Sequence, residues 1–190
     1  EKSVKAPDLL GAFIIGGSKA GANAAAVWAA HRVVPLNIAG YGRLVGASME
    51  AANRWRAFLK DLTFDINGTP VVVNVLDNPD FNMVDWTFQV KGCTDLAATN
   101  RLNELMFDKD SYENGEVYSM GFITSHTTFS KDGYGTSPEP FIKQMGMSLD
   151  EWNKAGQVTL LRAAVMTPYL REDGIFASYS EAVKAVMQKK

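Results

Sequence analysis

The run Glu116 to Phe129 carries the residues of this chain best placed to do chemistry. As a strand it puts Tyr118, Met120, Phe122, Thr124, His126 and Thr128 on one face, and along that face the side chains change from apolar to hydrogen-bonding. That is the pattern of a core face turning into a pocket wall with a single proton-transfer group. His126 would act as acid or base with Tyr118 or Asp85 as its partner, while Phe122, Thr124 and Thr128 line the pocket and orient a small ligand. In the plain alternative the strand ends near Thr124 and His126 lies at a wet edge.

A second candidate precedes it. Ala12 to Ile15 is an apolar run ending in Gly16-Gly17, followed by Ser18, Lys19 and an alanine-rich helix to about Val34. Unpaired N–H groups at such a helix start attract anions, so Ser18 and Lys19 are candidate ligand contacts. The pattern nevertheless lacks the glycine of a dinucleotide fingerprint and the Lys-Ser/Thr of a P-loop. The carboxylate-rich stretch Asp108 to Gly115 invites a calcium reading, but Tyr112 and Glu113 stand where an EF-hand needs a ligand and a glycine. With two histidines and the single cysteine Cys93, a zinc site or an intrachain disulfide is not expected, and no cofactor motif is found.

Composition limits the partners. The formal charge of −2 comes from 19 basic and 21 acidic residues spread along the chain, with no basic block for a phosphate backbone, so nucleic acid is not expected. No stretch approaches the apolar length of a membrane helix. The polar residues Lys2 to Pro7 read like the start of a mature exported protein, which favours the periplasm or secretion slightly over the cytoplasm.

These residues must be positioned by a small set of elements. The clearest is a hairpin over Leu62 to Leu76, where Asn67-Gly68 is a type I′ signal and a two-residue loop pairs Phe64 with Val71 and Ile66 with Thr69. A helix from about Ser48 precedes it, with Met49, Ala52, Trp55 and Leu59 as its apolar stripe. Met83 to Lys91 alternates cleanly, so Val84, Trp86, Phe88 and Val90 should face a core while Asp85, Thr87, Gln89 and Lys91 face water. Thr94-Asp95 caps a helix to about Phe107. Ser148 and Glu151 form a capping box with Met147 and Trp152 at the staple positions, and the apolar run Val158 to Met166 reads as the continuation of that helix. Ser178 and Glu181 repeat the box for a last helix.

The expected fold is therefore a single α+β domain over residues 1–190, with an antiparallel sheet of about four strands, helices packed on one face and a helical C-terminal third. Two functions fit it. The first is a non-catalytic small-ligand-binding or assembly protein, with a small molecule, another protein or a second copy as partner. The second is a cofactor-independent lyase, isomerase or hydratase that uses His126 in an apolar pocket. The hairpin gives a test independent of both: Gly68→Val should lower stability by about 1 kcal/mol or more, because the turn needs φ > 0 there, read as a lower urea midpoint at unchanged slope.

Overall fold

Two helices lead into three successive strands, and further helices and two more strands follow, in the computed structural model, which describes residues 21–110 and 124–187. Two compact units divide at Leu44, Glu1–Leu44 and Val45–Lys190. The first contains helix α1 (Gly21–Val33), whose last turn carries His31 and Arg32, and α2 (Tyr41–Asp61) begins near its end. His31 meets the Tyr41 ring edge-on at 5.9 Å, and Arg32 lies over Trp28.

The second unit is built on a five-stranded antiparallel sheet ordered β1-β2-β3-β5-β4: β1 (Thr63–Ile66), β2 (Thr69–Val75), β3 (Met83–Val90), β4 (Ser125–Ser130) and β5 (Gln157–Ala164). It is the α+β antiparallel fold that the sequence pattern implies. In the hairpin, Phe64 pairs with Val71, Asp65 with Pro70 and Ile66 with Thr69, while Asn67 and Gly68 take φ of 51° and 78°. The expected turn and register are both present.

Between β3 and β4 lies α3 (Leu96–Asp110). After β4 come α4 (Lys131–Tyr134), α5 (Glu139–Gln144) and α6 (Leu149–Ala155). A 3-10 turn (Pro168–Arg171) and α7 (Asp173–Met187) follow β5. The main core packs Trp55 and Leu59 of α2 and Val183 and Met187 of α7 against Val73, Trp86, Phe88 and Leu161. A second cluster, with Phe141, Ile142, Met145 and Trp152, packs against Val158 and Leu160, which alternate with Leu161 and so lie on the opposite side of the sheet.

Three expectations are corrected. Val158 to Met166 does not continue the helix from Ser148. Ser148 Oγ does accept from Glu151 N at 3.2 Å, but Gly156 adopts φ 70° after seven helical residues, and the apolar run that follows is β5. A continuous apolar run satisfies a strand covered on both faces as well as a buried helix, and the left-handed glycine decides between them. Glu151 also does not close the box on its own helix, because its carboxylate accepts from Leu96 N at 3.4 Å and so caps α3. The last helix starts at Asp173, five residues before Ser178, whose hydroxyl donates instead to Gly174 O within the helix.

Asp85, Thr87 and Gln89 are buried too, where alternation had placed them in water, because the second cluster covers their face. Each is satisfied. The Gln89 amide accepts from Asn74 at 2.6 Å and donates to the carbonyls of Cys93 and Met145, Thr87 accepts from Asn103, and Asp85 pairs with Arg162.

The two central strands pair only through Met83–Trp86 and Leu161–Ala164. Beyond that the ladder stops, and two buried asparagines of α3 take its place. Asn103 accepts from Phe88 N at 2.8 Å and donates to Phe88 O at 2.8 Å, while Asn100 accepts from Thr159 N and donates to Gln157 O, both at 2.9 Å. A side-chain amide offers the same donor and acceptor as a peptide, so each asparagine serves as a one-residue strand partner. Asn103→Leu should therefore cost about 2–4 kcal/mol in urea unfolding, since it strands the buried Phe88 N–H and carbonyl together. A loss under about 1 kcal/mol would mean that water replaces the amide.

Candidate functional site

Where β5 and β3 remain paired, Asp85 lies directly opposite Arg162. Arg162 Nε donates to Asp85 Oδ1 at 2.7 Å and Nη2 to Oδ2 at 3.1 Å, a bidentate pair in which the arginine side chain keeps 28% exposure and the aspartate 10%. The hydrogen bond to Asp85 raises the Arg162 pKa above its already high value, so the guanidinium is charged at every working pH.

Arg162 is also one of the residues lining a cavity of about 640 Å³ at the C-terminal end of β5, although its ion pair with Asp85 lies on the sheet face that the second cluster covers. Trp55 of α2 and Tyr179 of α7, tilted rings 5.4 Å apart, form one wall; Val165, Met166 and Leu170 add apolar surface, and Arg162, Thr124 and Ser125 add polar groups. Burial raises the Tyr179 pKa, so its phenol stays neutral. Ser125 Oγ donates to Arg162 O at 3.0 Å and Thr124 Oγ1 to Ser125 O at 2.6 Å, which leaves both hydroxyl oxygens able to accept. An aromatic wall beside two hydroxyl acceptors can hold a molecule with a flat apolar body and a hydrogen-bonding end, while the guanidinium of Arg162 points to the other face of the sheet with Asp85.

Of the residues singled out from the sequence, Thr124 lines this cavity and Asp85 anchors its arginine. His126 pairs with Leu161 in the neighbouring register, is exposed, and lies against Phe107 of α3 with the rings tilted by 50° and their centroids 4.1 Å apart. Neither it nor Thr128 is among the residues found lining the cavity. Tyr118, Phe122, Ser18 and Lys19 lie outside the described residues, as do most of the carboxylate-rich stretch and Lys2 to Pro7. Sequence reading passed over Arg162, Trp55 and Tyr179 as site residues. For Arg162 a signal existed: a charge inside the apolar run Val158 to Met166 needs a partner. Trp55 and Tyr179 gave none beyond helical periodicity.

Residues 51–190 match the model of the family described as "Tyrosine decarboxylase, C-terminal", and the chain belongs to that family. Its curated relatives are proteins named L-tyrosine decarboxylase. That of Enterococcus faecium is 60% identical over all 190 residues, which is 31% of the relative's length; that of Enterococcus faecalis is 52% identical with the same coverage; that of Levilactobacillus brevis is 47% identical over 188 residues, 30% of its length. The chain thus spans about a third of the length of the relatives it matches.

These relatives overturn the expectation of a non-catalytic binding or assembly protein, and neither version of that functional reading is carried further. It had rested on dispersed charge and on a scarcity of histidines. Such a scarcity carries little weight in a segment that covers a third of its relatives, because catalytic groups are assembled from distant parts of a chain. The relatives' names lend no support to export, and among the described residues no helix is long and apolar enough to cross a membrane.

The ion pair can be tested directly. Asp85→Ala should cost about 2 kcal/mol, less than the roughly 3–5 kcal/mol of a fully buried pair, because water reaches part of Arg162. Joining Asp85→Leu with Arg162→Met should recover most of that loss. Two single losses that simply add in the double variant would show that the groups act independently.

Proposed function

We propose that this chain is the C-terminal part of an L-tyrosine decarboxylase. The single observation that carries the reading is the identity of 60% and 52% with two proteins of that name across all 190 residues. The reaction breaks the bond between Cα and the carboxylate of L-tyrosine, releases CO2 and returns a proton to Cα, giving the corresponding amine. The electron pair left on Cα needs a sink that ordinary side chains provide poorly, so chemistry of this class draws on a cofactor suited to the task.

In this reading the chain's own contribution is to recognise and position. The Trp55–Tyr179 wall would suit a phenol ring, with the Thr124 and Ser125 hydroxyls as polar contacts at the cavity's edge. His126, exposed on Phe107, would sit at the surface of the module and meet whatever packs on β4.

A chimaera tests the proposal. When this chain replaces the matching segment of the Enterococcus faecium relative, the product should release CO2 from L-tyrosine with a kcat/KM within about tenfold of the parent, a barrier difference of about 1.4 kcal/mol. A folded, soluble chimaera that releases none would overturn it.

A further inference from the structure

Helix α1 is apolar on every side. Of its 13 residues only Asn23, His31 and Arg32 are polar, and the rest are glycine, alanine, valine and a tryptophan. None of the thirteen is buried. Val27 is 57% exposed, Trp28 63% and Val33 82%, and in the segment that follows Leu36 and Ile38 are 72% and 87% exposed. A helix hydrophobic all round belongs in the interior of something larger. The Trp55, Trp86 and Trp152 side chains, all in the second unit, are each at most 2% exposed, so Trp28 is an outlier within the same chain.

Two boundaries bracket this surface. The family match begins at residue 51 and the second unit at Val45, yet the relatives align across all 190 residues and are about three times as long. We propose that residues 21–44 are a piece of a different domain from the one that follows, and that α1 is embedded in the two-thirds of a decarboxylase polypeptide that this chain does not span. The inference rests on the reading above.

The occupant follows from the shape of the surface. A second copy docking across a two-fold axis covers one side of a helix, whereas α1 offers apolar groups on all sides. A membrane span needs roughly 20 residues, more than α1 has. Its alanines allow backbones to approach closely, so the partner surface should be apolar, with helices or strands packed tightly around α1 and a pocket for the Trp28 indole.

Hydroxyl-radical footprinting of the 190-residue chain and of the chimaera tests this without any substitution. Oxidation at Val27, Trp28, Val33 and Ile38 should be several-fold slower in the chimaera than in the chain alone. Val27→Asp should lower the melting temperature of the chimaera and leave that of the chain alone unchanged. Equal oxidation in both would overturn the proposal. So would protection in the chain alone at concentrations where it sediments as a dimer, or protection that appears only when phosphatidylcholine vesicles are added. Release of CO2 by the chimaera reports separately on the decarboxylase reading: an active chimaera with Trp28 still exposed defeats the burial, and a protected but inactive one defeats the activity.

Discussion

Everything in the second unit depends on how two central strands are held where they do not touch. β3 and β5 share four residue pairs and then part, and an open seam in the middle of a sheet would leave backbone N–H and carbonyl groups buried without partners. Asn100 and Asn103, three residues apart and hence on one side of α3, close the seam from both banks. Asn103 also donates to Thr87 Oγ1 at 2.6 Å and to Thr99 O at 2.8 Å, tying the strand to the preceding helical turn. The helix is therefore a hydrogen-bonded part of the sheet. Its placement is set by polar geometry, which is directional, as well as by packing, which is not.

From that seam the rest of the unit takes its arrangement. α3 must start where Asn100 can reach β5, and its first turn is fixed by Asp95, which accepts from Ala98 N, and by Glu151 of α6. The helices that cover the second face are tied to the sheet through the same region: Gln144 donates to Val75 O, and Gln89 reaches Met145 O. At the other end the intact pairing sets Asp85 against Arg162, and the cavity opens beside it. Seam and cavity thus lie at opposite ends of the same strand pair.

On the α2 side, charge plays a smaller part. Lys60 and Arg56 both reach Asp77 in the turn after β2, and the hydrogen bond from Lys60 holds that carboxyl below its usual range. Arg54 bridges to Asp173 at 2.8 Å, lies over Phe176 and bonds the Arg171 carbonyl, so it fastens the start of α7 to α2. These contacts are largely exposed and orient elements that the apolar core already holds together. This division bears on the cavity, to which α2 and α7 contribute Trp55 and Tyr179, because the relative placement of the two helices sets how those rings meet.

Local chemistry was legible without any structure. Asn67-Gly68 with its alternating flanks specified both the turn and the register of β1 and β2, the Asp95 cap placed α3, and the Ser148 cap with its Met147–Trp152 staple placed α6, because each of these rests on residues within a few positions of one another. Period-two alternation in Met83 to Lys91 found a strand but not its environment. Whether Asp85, Thr87 and Gln89 meet water or a second layer depends on α5 and α6, which lie more than forty residues away along the chain. The same limit hid β5, since an apolar run carries no record of whether its cover comes from helix neighbours or from two sheet faces. It also hid the cavity, whose walls come from residues 55, 124–125, 162–167, 170 and 179. The tertiary structure alone decided those matters, because they turn on which distant groups satisfy a buried amide or a buried charge, and periodicity along a chain does not encode a partner.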